Sequence, residues 1–568
     1  MVGMQDNHPV CRPTVASHVS LPLIGLPRAA FLLWLAVALW AAAPASAAPG
    51  GRAPNIVLIL ADDMGFSDLG CYGSEIRTPN VDRLAHGGLR FSQFYNVGRC
   101  CPTRAALMTG LYPHQTGVGH MMDDTMRPGY RGNLNTQCVT LAEVLHAAGY
   151  QTMMCGKWHL TRHVAPAGPK FNWPLQRGFD LFYGTIMGAG SYFDPLSLTR
   201  GNEQFRATGD YYYTDAITDR AADFIEKAGH SPKPFFLYVA YTAPHWPLHA
   251  PAELAARHRG QYRIGWDDLR EARRRRQIAQ GLIRESWPLT PRDARVPAWE
   301  LTPDRPWQER RMEVYAAQID EMDQGVGKIL ERIRQIGAEE NTLVMLLSDN
   351  GGCAEELGDL RASPSLASLA PPKTRDGRPL QFGNRSNLMP GPSDTFQSYG
   401  IGWANASNTP FRLYKHWVHE GGIATPLVVY WPAVIHDAGG IVHEPGHVID
   451  IMATCAEVAG TKYPAAFGGF PILPLEGESL LAVFEGKTRH RGPMFWEHEG
   501  NRAVRDGKWK LVSTFSGQWE LYDMEADRTE MHDLSRRFPV IVKDLQGSYE
   551  EWANRVHVEP WPVGKMTR

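Results

Sequence analysis

The chain has 568 residues, with 58 basic and 60 acidic side chains and a formal net charge of −2. A charge this close to zero offers no positive field for nucleic acid, and 43% apolar with 21% charged residues is ordinary for a well-packed globular protein. Because the length exceeds the usual size of a single core, we expect one large domain and at least one smaller one.

The N-terminus has the pattern of a cleaved signal peptide. Arg28 precedes an apolar run over 29–43, and the tripeptide Ala-Ser-Ala at 45–47 supplies small residues for cleavage. The alternative is a membrane anchor, but about 15 residues are few for a hydrocarbon core of about 30 Å. We therefore expect residues 1–47 to be removed and the mature chain, from near Ala48, to be periplasmic or secreted without a stable membrane anchor.

Alternating strands and helices are predicted over residues 55–347. Continuous apolar runs predict buried strands, and apolar residues at spacings of three and four predict amphipathic helices. In chain order the predicted elements are a strand at Asn55–Leu60, a helix from Thr78-Pro79 to Gly87, a helix from the capping box Thr140/Glu143 to Gly149, a strand at Tyr150–Met154, a helix over 214–228, a strand at Phe235–Tyr241, a helix with apolar residues from Tyr315 to Ile336, and a strand at Leu343–Leu347. This alternation indicates the α/β class, with a mainly parallel sheet covered by helices on both faces.

The rest of the chain contains two different kinds of segment. Residues 355–408 are rich in Pro, Gly, Ser and Asn without a clear period, and so long a loop is usually functional or disordered. Strand patterns at Trp509–Val512 and Trp519–Tyr522 predict a small antiparallel subdomain. We expect a large domain over 53–470 and a C-terminal antiparallel subdomain over 490–560.

A run of four arginines, Arg273–Arg276, resembles a nucleic-acid-binding patch. It lies on a predicted helix over Leu269–Ile283, however, with Glu271 nearby. We interpret it as a solvated helix face, since a nuclear targeting signal would contradict an exported chain.

The cysteines are too few for a disulfide scaffold in an exported chain of this length, and no pair has the spacing of zinc ligands. They are Cys11, Cys71, Cys100, Cys101, Cys138, Cys155, Cys353 and Cys455. Because Cys11 leaves with the predicted signal peptide, an odd number remains, so at least one is free, modified or paired with another molecule. The adjacent pair Cys100-Cys101 requires an explanation.

Acidic and amide side chains follow two of the predicted strands. Asp62 and Asp63 come after the first strand, and Asp349 and Asn350 come after the last. Because ligand sites form beyond the carboxyl ends of parallel strands, both pairs are expected at one edge of the sheet. Three carboxylates and an amide oxygen suit Ca²⁺ or Mg²⁺ rather than zinc. One Asp pair alone fits a helix cap equally well, but two pairs at equivalent strand ends favour a metal site.

Basic side chains follow two further strands. Lys157 and His159 come after the strand that ends at Met154, and His245 comes after the strand that ends at Tyr241. Such groups bind anions and transfer protons. A lone histidine at such a place is usually structural, whereas several at one sheet edge indicate an active site.

The segment 98–110 resembles the Cys-x-Pro-x-Arg signature of the type I sulfatases. The residues that match are Cys100, Pro102, Arg104, Ala105, Leu107, Thr109 and Gly110. In that family a maturation enzyme oxidises the first cysteine of the signature to formylglycine. Here that residue is Cys100, and Cys101 occupies the free position after it.

The resemblance extends over roughly 53–555, with further motifs in family order. These motifs are Asp62-Asp63, Gly156-Lys157-Trp158-His159-Leu160, Pro244-His245, Asp349-Asn350-Gly351-Gly352, Lys415 followed by Glu420-Gly421-Gly422, and Trp519-Glu520-Leu521-Tyr522-Asp523. The chain thus resembles the bacterial arylsulfatase-like branch of the alkaline phosphatase superfamily. The resemblance implies a large mainly parallel sheet between helices, a small C-terminal antiparallel sheet, and catalysis by the 53–470 domain.

The resemblance also implies which residues form the site. One Ca²⁺ would be held by Asp62, Asp63, Asp349, Asn350 and the modified Cys100. The catalytic residues would be Cys100, Arg104, Lys157, His159, His245 and Lys415. Ser191 is a further hydroxyl residue that sequence order alone places near the catalytic base.

In the implied mechanism, one hydroxyl of the formylglycine hydrate attacks sulfur and the alcohol leaves. The second hydroxyl then gives its proton to His159, and its collapse to the aldehyde releases sulfate, a step that serine lacks. Arg104 would orient the hydrate, and the positive end of the following helix would point toward it. Lys157, His245 and Lys415 would neutralise the sulfate oxygens.

Two alternatives remain open from the sequence. A phosphonate or phosphate ester hydrolase of the same superfamily would share the fold and the formylglycine. A non-catalytic binder of sulfated glycans should have lost Cys100 or a metal carboxylate, and all are present. The partner implied for an active enzyme is a sulfate ester, either an aryl sulfate or a sulfated carbohydrate, and specificity is expected in the loops at 165–205 and 355–408 and in the C-terminal subdomain.

Overall fold

A computed structural model of the protein describes residues 53–358 and 368–564, so the predicted signal peptide lies outside the described residues. The described strands are β1 Asn55–Ala61, β2 Leu89–Tyr95, β3 Gln151–Lys157, β4 Leu181–Thr185, β5 Leu198–Arg200, β6 Glu203–Gln204, β7 Phe235–Ala240, β8 Thr342–Ser348, β9 Gln381–Phe382, β10 Thr395–Phe396, β11 Ala424–Tyr430, β12 Gly440–Val442, β13 Gly446–His447, β14 Ala466–Phe467, β15 Phe470–Pro471, β16 Met494–His498, β17 Asn501–Asp506, β18 Trp509–Ser513 and β19 Glu520–Asp523. The described α-helices are α1 Pro79–Gly87, α2 Cys100–Thr109, α3 Pro113–Thr116, α4 Leu141–Ala147, α5 Tyr213–Gly229, α6 Ala252–Arg257, α7 Gly265–Ala279, α8 Arg305–Gln335, α9 Gly400–Ser407, α10 Glu420–Ile423, α11 Asp450–Val458, α12 Leu481–Phe484 and α13 Pro539–Arg555.

A large mixed sheet forms the centre of the described fold. Its strand order is β12-β2-β11-β8-β1-β7-β3-β4-β5-β6, with β13 paired to β2. The middle strands β8, β1, β7, β3 and β4 are parallel, while β11 runs antiparallel between β8 and β2. The predicted α/β class with a mainly parallel sheet is confirmed, although the sequence analysis did not identify β2 or β11.

The register of the parallel strands makes their carboxyl ends coincide. Ala61 of β1 pairs with Ser348 of β8, and Leu60 pairs with Ala240 of β7. The residues that follow these three strands therefore emerge side by side, as the sequence analysis expected. This alignment brings the polar strand ends to one edge of the sheet.

Helices cover both faces of the sheet. Val57 and Ile59 of β1 face one core with α1, α5 and α8, and Ile56 and Leu58 face the other with α2, α4 and α11. All four side chains are 0% exposed, and full burial of each contributes about 1.5–3 kcal/mol. Burial on both faces is why the strand is continuously apolar.

The predicted elements over 55–347 are all present, with shifts at their ends. β3 continues to Lys157, and α8 begins at Arg305, well before the apolar pattern that starts at Tyr315. The predicted capping box forms: Thr140 Oγ1 accepts from Glu143 N at 3.1 Å, and Glu143 Oε2 accepts from Thr140 N at 2.6 Å. These two contacts pair backbone donors that the start of α4 would otherwise leave free.

The segment 355–408, expected to lack regular structure, contains β9, β10 and α9 in its described part. The residues of α9 are mostly Gly, Ala, Ser and Asn, with low combined helix propensity. Trp403 on α9 is nevertheless 0% exposed, and its ring lies 5.3 Å from Trp266 and 5.6 Å from Trp299. This aromatic packing stabilises a helix that the local sequence does not predict.

The interpretation of Arg273–Arg276 as a solvated helix face is wrong for its first residue. Arg273 lies on α7 with a side chain that is 0% exposed, and its guanidinium contacts Asp68 at 2.6 Å and Glu75 at 2.8 Å. Arg275 is exposed. Because the acidic partners lie some two hundred positions earlier, local charge patterning did not reveal the ion pairs.

The C-terminal region has the predicted antiparallel sheet, in the order β16-β17-β18-β19. Helix α13 packs against β17 and β18. Trp496 on β16 donates from Nε1 to the carbonyl of Asn96 at 2.8 Å, which joins this sheet to the segment that precedes α2. The division at 53–470 and 490–560 stays a prediction, since the described residues of the two ranges belong to one compact unit.

Among the described residues, no helix is both long enough and apolar enough to cross a bilayer. The seven described cysteines are buried and form no disulfide with one another.

Candidate active site

Three carboxylates meet at the carboxyl edge of the parallel strands. Asp62 and Asp63 follow β1, Asp349 follows β8, and the Asp63 amide donates to Asp349 Oδ1 at 3.2 Å. Their exposures are 0%, 1% and 0%. Three buried like charges repel one another strongly unless cations lie among them.

Each carboxylate has a basic partner from another element. Lys157 Nζ is 2.6 Å from Asp62 Oδ2, Lys415 Nζ is 2.9 Å from Asp63 Oδ2, and Arg104 Nη2 is 2.7 Å from Asp349 Oδ2. The three acids are thus formally balanced by three bases of the chain. A divalent cation added to this cluster would leave an excess of positive charge, which suits an anionic substrate.

Two buried oxygens of the cluster have no hydrogen-bond partner among the described residues, Asp62 Oδ1 and Asn350 Oδ1. Asn350 Nδ2 donates to Asp63 Oδ1 at 2.7 Å and to Gly351 O at 2.9 Å, so its oxygen remains unused. A buried oxygen without a partner costs about 1–3 kcal/mol. Asp62, Asp63 and His245 also place ligand atoms within 4.8 Å of one another. The mainly oxygen donor set fits a hard divalent cation.

The pKa values of these buried acids are shifted in different directions. Burial raises the pKa of Asp62 although Lys157 opposes it, and burial together with the charge of Asp62 raises the pKa of Asp349 to about 7. The pKa of Asp63 is lowered, because His245 and Lys415 outweigh its burial. A cation near Asp62 and Asp349 would favour their ionised forms.

Cys100 begins α2 and lies beside His159, the predicted catalytic base. Its Sγ is 3.6 Å from His159 Nδ1. A hydrogen bond from Cys101 lowers the pKa of the Cys100 thiol well below its ordinary value, with Lys157 and His159 adding to the effect against burial. Burial lowers the pKa of His159 to about 4, so its imidazole is neutral near pH 7 and can accept a proton.

Arg104 and His245 have contacts that bear on their expected roles. Arg104 also donates from Nη1 to the carbonyl of Lys157 at 3.0 Å, so in this structure it fixes Asp349 and the end of β3. Burial lowers the pKa of His245 to about 4, and its Nδ1 lies 2.6 Å from the carbonyl of Trp246. His245 is therefore a neutral imidazole here, and its predicted neutralisation of sulfate would require proton uptake when substrate binds.

The structure places Ser191 against a histidine that the sequence analysis did not single out. Ser191 Oγ is 3.4 Å from His249 Nδ1 and accepts from the amides of Phe193 and Asp194 at 3.2 Å. These contacts hold the 191–194 turn. The position of Ser191 relative to the base His159 stays without a supporting contact.

Glu355 belongs to the site although sequence reasoning did not identify it. Its Oε1 is 2.8 Å from Arg99 Nη1, its Oε2 accepts from Trp246 Nε1 at 2.8 Å, and Lys415 Nζ is 3.9 Å away. Lys415 and Arg99 lower the pKa of Glu355 against the effect of burial. The residue lies in an irregular segment, where no periodic pattern or motif marks it.

A cavity of about 610 Å³ opens onto this cluster. Cys100, His159, His245 and Lys415 line it together with Glu355. Its apolar lining includes Met121, Met122, Val164, Ile186, Met187, Ala189, Trp246, Leu357 and Leu369. Segments 186–189 and 355–357 both contribute, so both loops expected to set specificity reach the cavity.

Comparison with known proteins agrees with this geometry. The family model described as Sulfatase matches residues 54–461. A second model, described as the C-terminal part of N-sulphoglucosamine sulphohydrolase, matches residues 411–552.

Relatives match over most of their length as well. An uncharacterized sulfatase of Schizosaccharomyces pombe is 33% identical over 529 residues, which cover 87% of this chain and 92% of that protein. The arylsulfatase of Klebsiella aerogenes is 35% identical over 455 residues, which cover 77% of this chain and 93% of that protein. The crystal structure of Ps i-CgsB superposes with a TM-score of 0.62 at 26% identity and covers 88% of this chain and 93% of its own. The predicted family is thereby confirmed: the chain belongs to the sulfatase family and is a sulfuric ester hydrolase.

Proposed function

We propose that the enzyme hydrolyses sulfate esters through a formylglycine made from Cys100 by a maturation enzyme, with one resident Ca²⁺. The observation that carries the proposal is the position of Cys100. It lies at the start of α2, lines the cavity, and places Sγ 3.6 Å from the neutral imidazole of His159. The family membership adds the expectation of a modified cysteine at this position.

The two absent groups would supply chemistry that the unmodified chain lacks. Formylglycine, as its hydrate, would supply an attacking oxygen and a second hydroxyl through which sulfate is released. Ca²⁺ would supply Lewis-acid binding of a sulfate oxygen. The residues that would hold the ion are Asp62, Asp63, Asp349, Asn350 and the modified residue 100.

The chain's own residues would bind the sulfate and move the proton. His159 Nδ1 faces residue 100 and would accept the proton from its second hydroxyl. Asp63 holds the pKa of Lys415 well above its ordinary value although burial opposes this, so the ammonium would bind a sulfate oxygen. Lys157, at the end of β3, would bind another sulfate oxygen, and Arg104 would keep Asp349 in place.

The apolar wall of the cavity favours an aryl sulfate over a sulfated carbohydrate. Met121, Ile186 and Leu357 would contact an aromatic leaving group, since such rings bury apolar area efficiently. A sugar hydroxyl against these side chains would lose hydrogen bonds to water. The relative in Klebsiella aerogenes is named an arylsulfatase, which agrees with this preference.

Steady-state kinetics on a substrate panel would test the proposal. The panel contains an aryl sulfate, the matched aryl phosphate and aryl phosphonate, and sulfated mono- and oligosaccharides. We expect the highest kcat/KM for the aryl sulfate, with the Cys100→Ala variant as the control for contaminating activity. A higher kcat/KM for the phosphate or phosphonate would favour the alternative hydrolase, and a higher value for a sulfated sugar would contradict the aryl preference.

We also propose that the enzyme is exported with residues 1–47 removed. The support is the sequence pattern of Arg28, the apolar run and the small residues at 45–47. N-terminal sequencing of exported protein should begin near Ala48, and exported material that retains Arg28 would contradict the proposal.

A further inference from the structure

A second cluster of ligand side chains lies outside the catalytic cluster. His120 follows α3, His498 ends β16, and Glu499 lies in the turn between β16 and β17. The ligand atoms of these three residues lie within 4.8 Å of one another. Glu499 Oε1 is 2.8 Å from His120 Nε2 and 3.6 Å from His498 Nε2. Both imidazoles thus converge on one carboxylate oxygen.

His498 is the unusual member of this cluster. Its side chain is 0% exposed, and neither ring nitrogen has a hydrogen-bond partner among the described residues. Buried imidazole nitrogens without partners are uncommon in folded proteins.

His416 orients the carboxylate from its other side. Its Nε2 is 2.8 Å from Arg99 Nη1, and its Nδ1 is 2.7 Å from Glu499 Oε2. Since an ionised carboxylate can only accept, Nδ1–H of His416 donates to Glu499. A carboxylate held by such an outer hydrogen bond is the usual arrangement around metal ligands.

We propose that His120, His498 and Glu499 bind one divalent transition-metal ion of the zinc class. Two imidazoles and one carboxylate form a ligand set that zinc, cobalt and nickel accept and that leaves a further coordination position for water. This set differs from the mainly oxygen donors of the catalytic cluster. His120 and Glu499 side chains are 21% and 23% exposed, which gives an ion access from solvent.

The bound ion would link the C-terminal sheet to the wall of the active-site cavity. His120 directly precedes Met121, which lines the cavity, whereas His498 and Glu499 belong to the β16–β17 hairpin. His120 is more than three hundred positions away from His498 and Glu499 in the sequence. The ion would therefore hold the cavity wall in place and would not take part in sulfate chemistry.

Cobalt titration of the purified enzyme in excess Ca²⁺ would test this proposal, because Co²⁺ reports its ligands by visible absorption. We expect one Co²⁺ per chain with the bands of nitrogen and oxygen ligation, displaced by Zn²⁺. His498→Gln and His120→Gln should each weaken Co²⁺ binding at least about tenfold. His258→Gln is the matched control: His258 is 2% exposed and lies 3.3 Å from Asp320, and its loss should leave the affinity unchanged.

Thermal unfolding provides a second measurement. Co²⁺ should raise the midpoint of the wild type and of His258→Gln, but not that of His498→Gln, since an ion stabilises only the state that binds it. If His498→Gln does not fold, the partly exposed His120→Gln carries the test.

Two results would overturn the proposal. One is the absence of saturable Co²⁺ binding by the wild type, or equal affinity in the variants of His498 and His120. The other is binding with intense sulfur-to-cobalt absorption that persists in those variants, since it would place the ion at Cys100, Cys101 and His159, whose ligand atoms also lie within 4.8 Å of one another.

Discussion

Buried carboxylates in two clusters of this molecule have pKa values that are shifted in opposite directions. Glu420 is 0% exposed and has a partner on each oxygen, Lys510 at 2.8 Å and Arg528 at 3.0 Å. Although burial opposes it, these cations lower the pKa of Glu420. Asp62 and Asp349 are equally buried, yet their pKa values are raised, and Asp62 Oδ1 has no hydrogen-bond partner among the described residues. Both oxygens of Glu420 are paired with cations of the chain, whereas Asp62 Oδ1 leaves the second cluster a position for an additional cation.

The cluster around Glu420 supports the cluster that contains Asp62 and Asp349. Lys510 lies on β18, so Glu420 joins the C-terminal sheet to the loop that carries Lys415. The glycine after it, Gly421, approaches backbone closely: an added Cβ would lie 2.3 Å from the carbonyl oxygens of Arg412 and Leu413. The Glu420-Gly421-Gly422 motif therefore holds the loop that carries Lys415, which lines the cavity, and does not itself line it.

The largest expected effect is the loss of Cys100. Cys100→Ala should lower kcat/KM about 10⁴-fold or more, because loss of a covalent nucleophile has effects of that order. The variant should still fold and bind Ca²⁺ weakly, since all three carboxylates and their basic partners remain. Activity assays, calcium binding and thermal unfolding would check this. Peptide mass spectrometry of active wild-type enzyme should find the aldehyde at position 100, and an intact thiol there would contradict the mechanism.

The next effect separates the two carboxylate clusters directly. Asp349→Ala should lower kcat/KM at least about 10²-fold, because it removes a proposed cation ligand and the carboxylate that lies 2.7 Å from Arg104. Glu420→Gln should lower the free energy of unfolding by about 3–5 kcal/mol, since buried Arg528 loses its paired carboxylate and Lys510 keeps only Glu530, while the folded fraction keeps its kcat. Denaturant unfolding and single-turnover assays measure the two effects. Full activity of Asp349→Ala after exhaustive chelation would refute a metal role for Asp349.

The third effect is the pH dependence of stability without metal. The native pKa of Asp349 is about 7 against an ordinary 3.8, so between these values the native state binds more protons than the unfolded chain. The free energy of unfolding should therefore fall as pH rises from about 4 to about 7. The contribution of Glu420 to this pH dependence has the opposite sign. Because its native pKa is lowered, Glu420 stabilises the native state above its ordinary pKa of 4.5, and that contribution is lost as pH falls further.

Calcium should reduce the fall in the free energy of unfolding that Asp349 causes, because a bound cation favours the ionised carboxylate. Denaturant unfolding at several pH values, with chelator and with Ca²⁺, would measure the difference, and Asp349→Asn is the control that should lack it. Equal pH slopes with and without Ca²⁺ would show that no cation binds near Asp349.

The sequence revealed what local patterns encode. Asp62 and Asp349 were predicted together because each directly follows a buried apolar run, and parallel strands end at one edge. Glu355 was not predicted, since it lies in a segment without a period and its partner Arg99 is more than two hundred positions away. Arg273 was misinterpreted for the same reason. Both residues form ion pairs with partners that are distant in the sequence, and local sequence patterns do not reveal such pairs.

The smallest effect should come from Cys101, which tests whether the adjacent thiol belongs to the chemistry or to the packing. The signature requires Pro two positions and Arg four positions after the modified cysteine, and from Cys101 those positions hold Thr103 and Ala105. Cys101 is 0% exposed, and its Sγ lies 3.5 Å from the His120 carbonyl and from Met121 Sδ. Burial raises its pKa well above the ordinary value, so this thiol is inert.

Cys101→Ser should therefore keep kcat/KM within about fivefold and lower the free energy of unfolding by about 1–2 kcal/mol. The serine hydroxyl can still donate to the His120 carbonyl that Cys101 Sγ contacts. Cys101→Ala removes that donor and is the matched comparison. Because the side chain packs against the segment that carries Met121, any change should appear in KM for the aryl sulfate rather than in kcat. A large loss of kcat in Cys101→Ser, or an aldehyde at position 101, would show that the second cysteine belongs to the catalytic cluster.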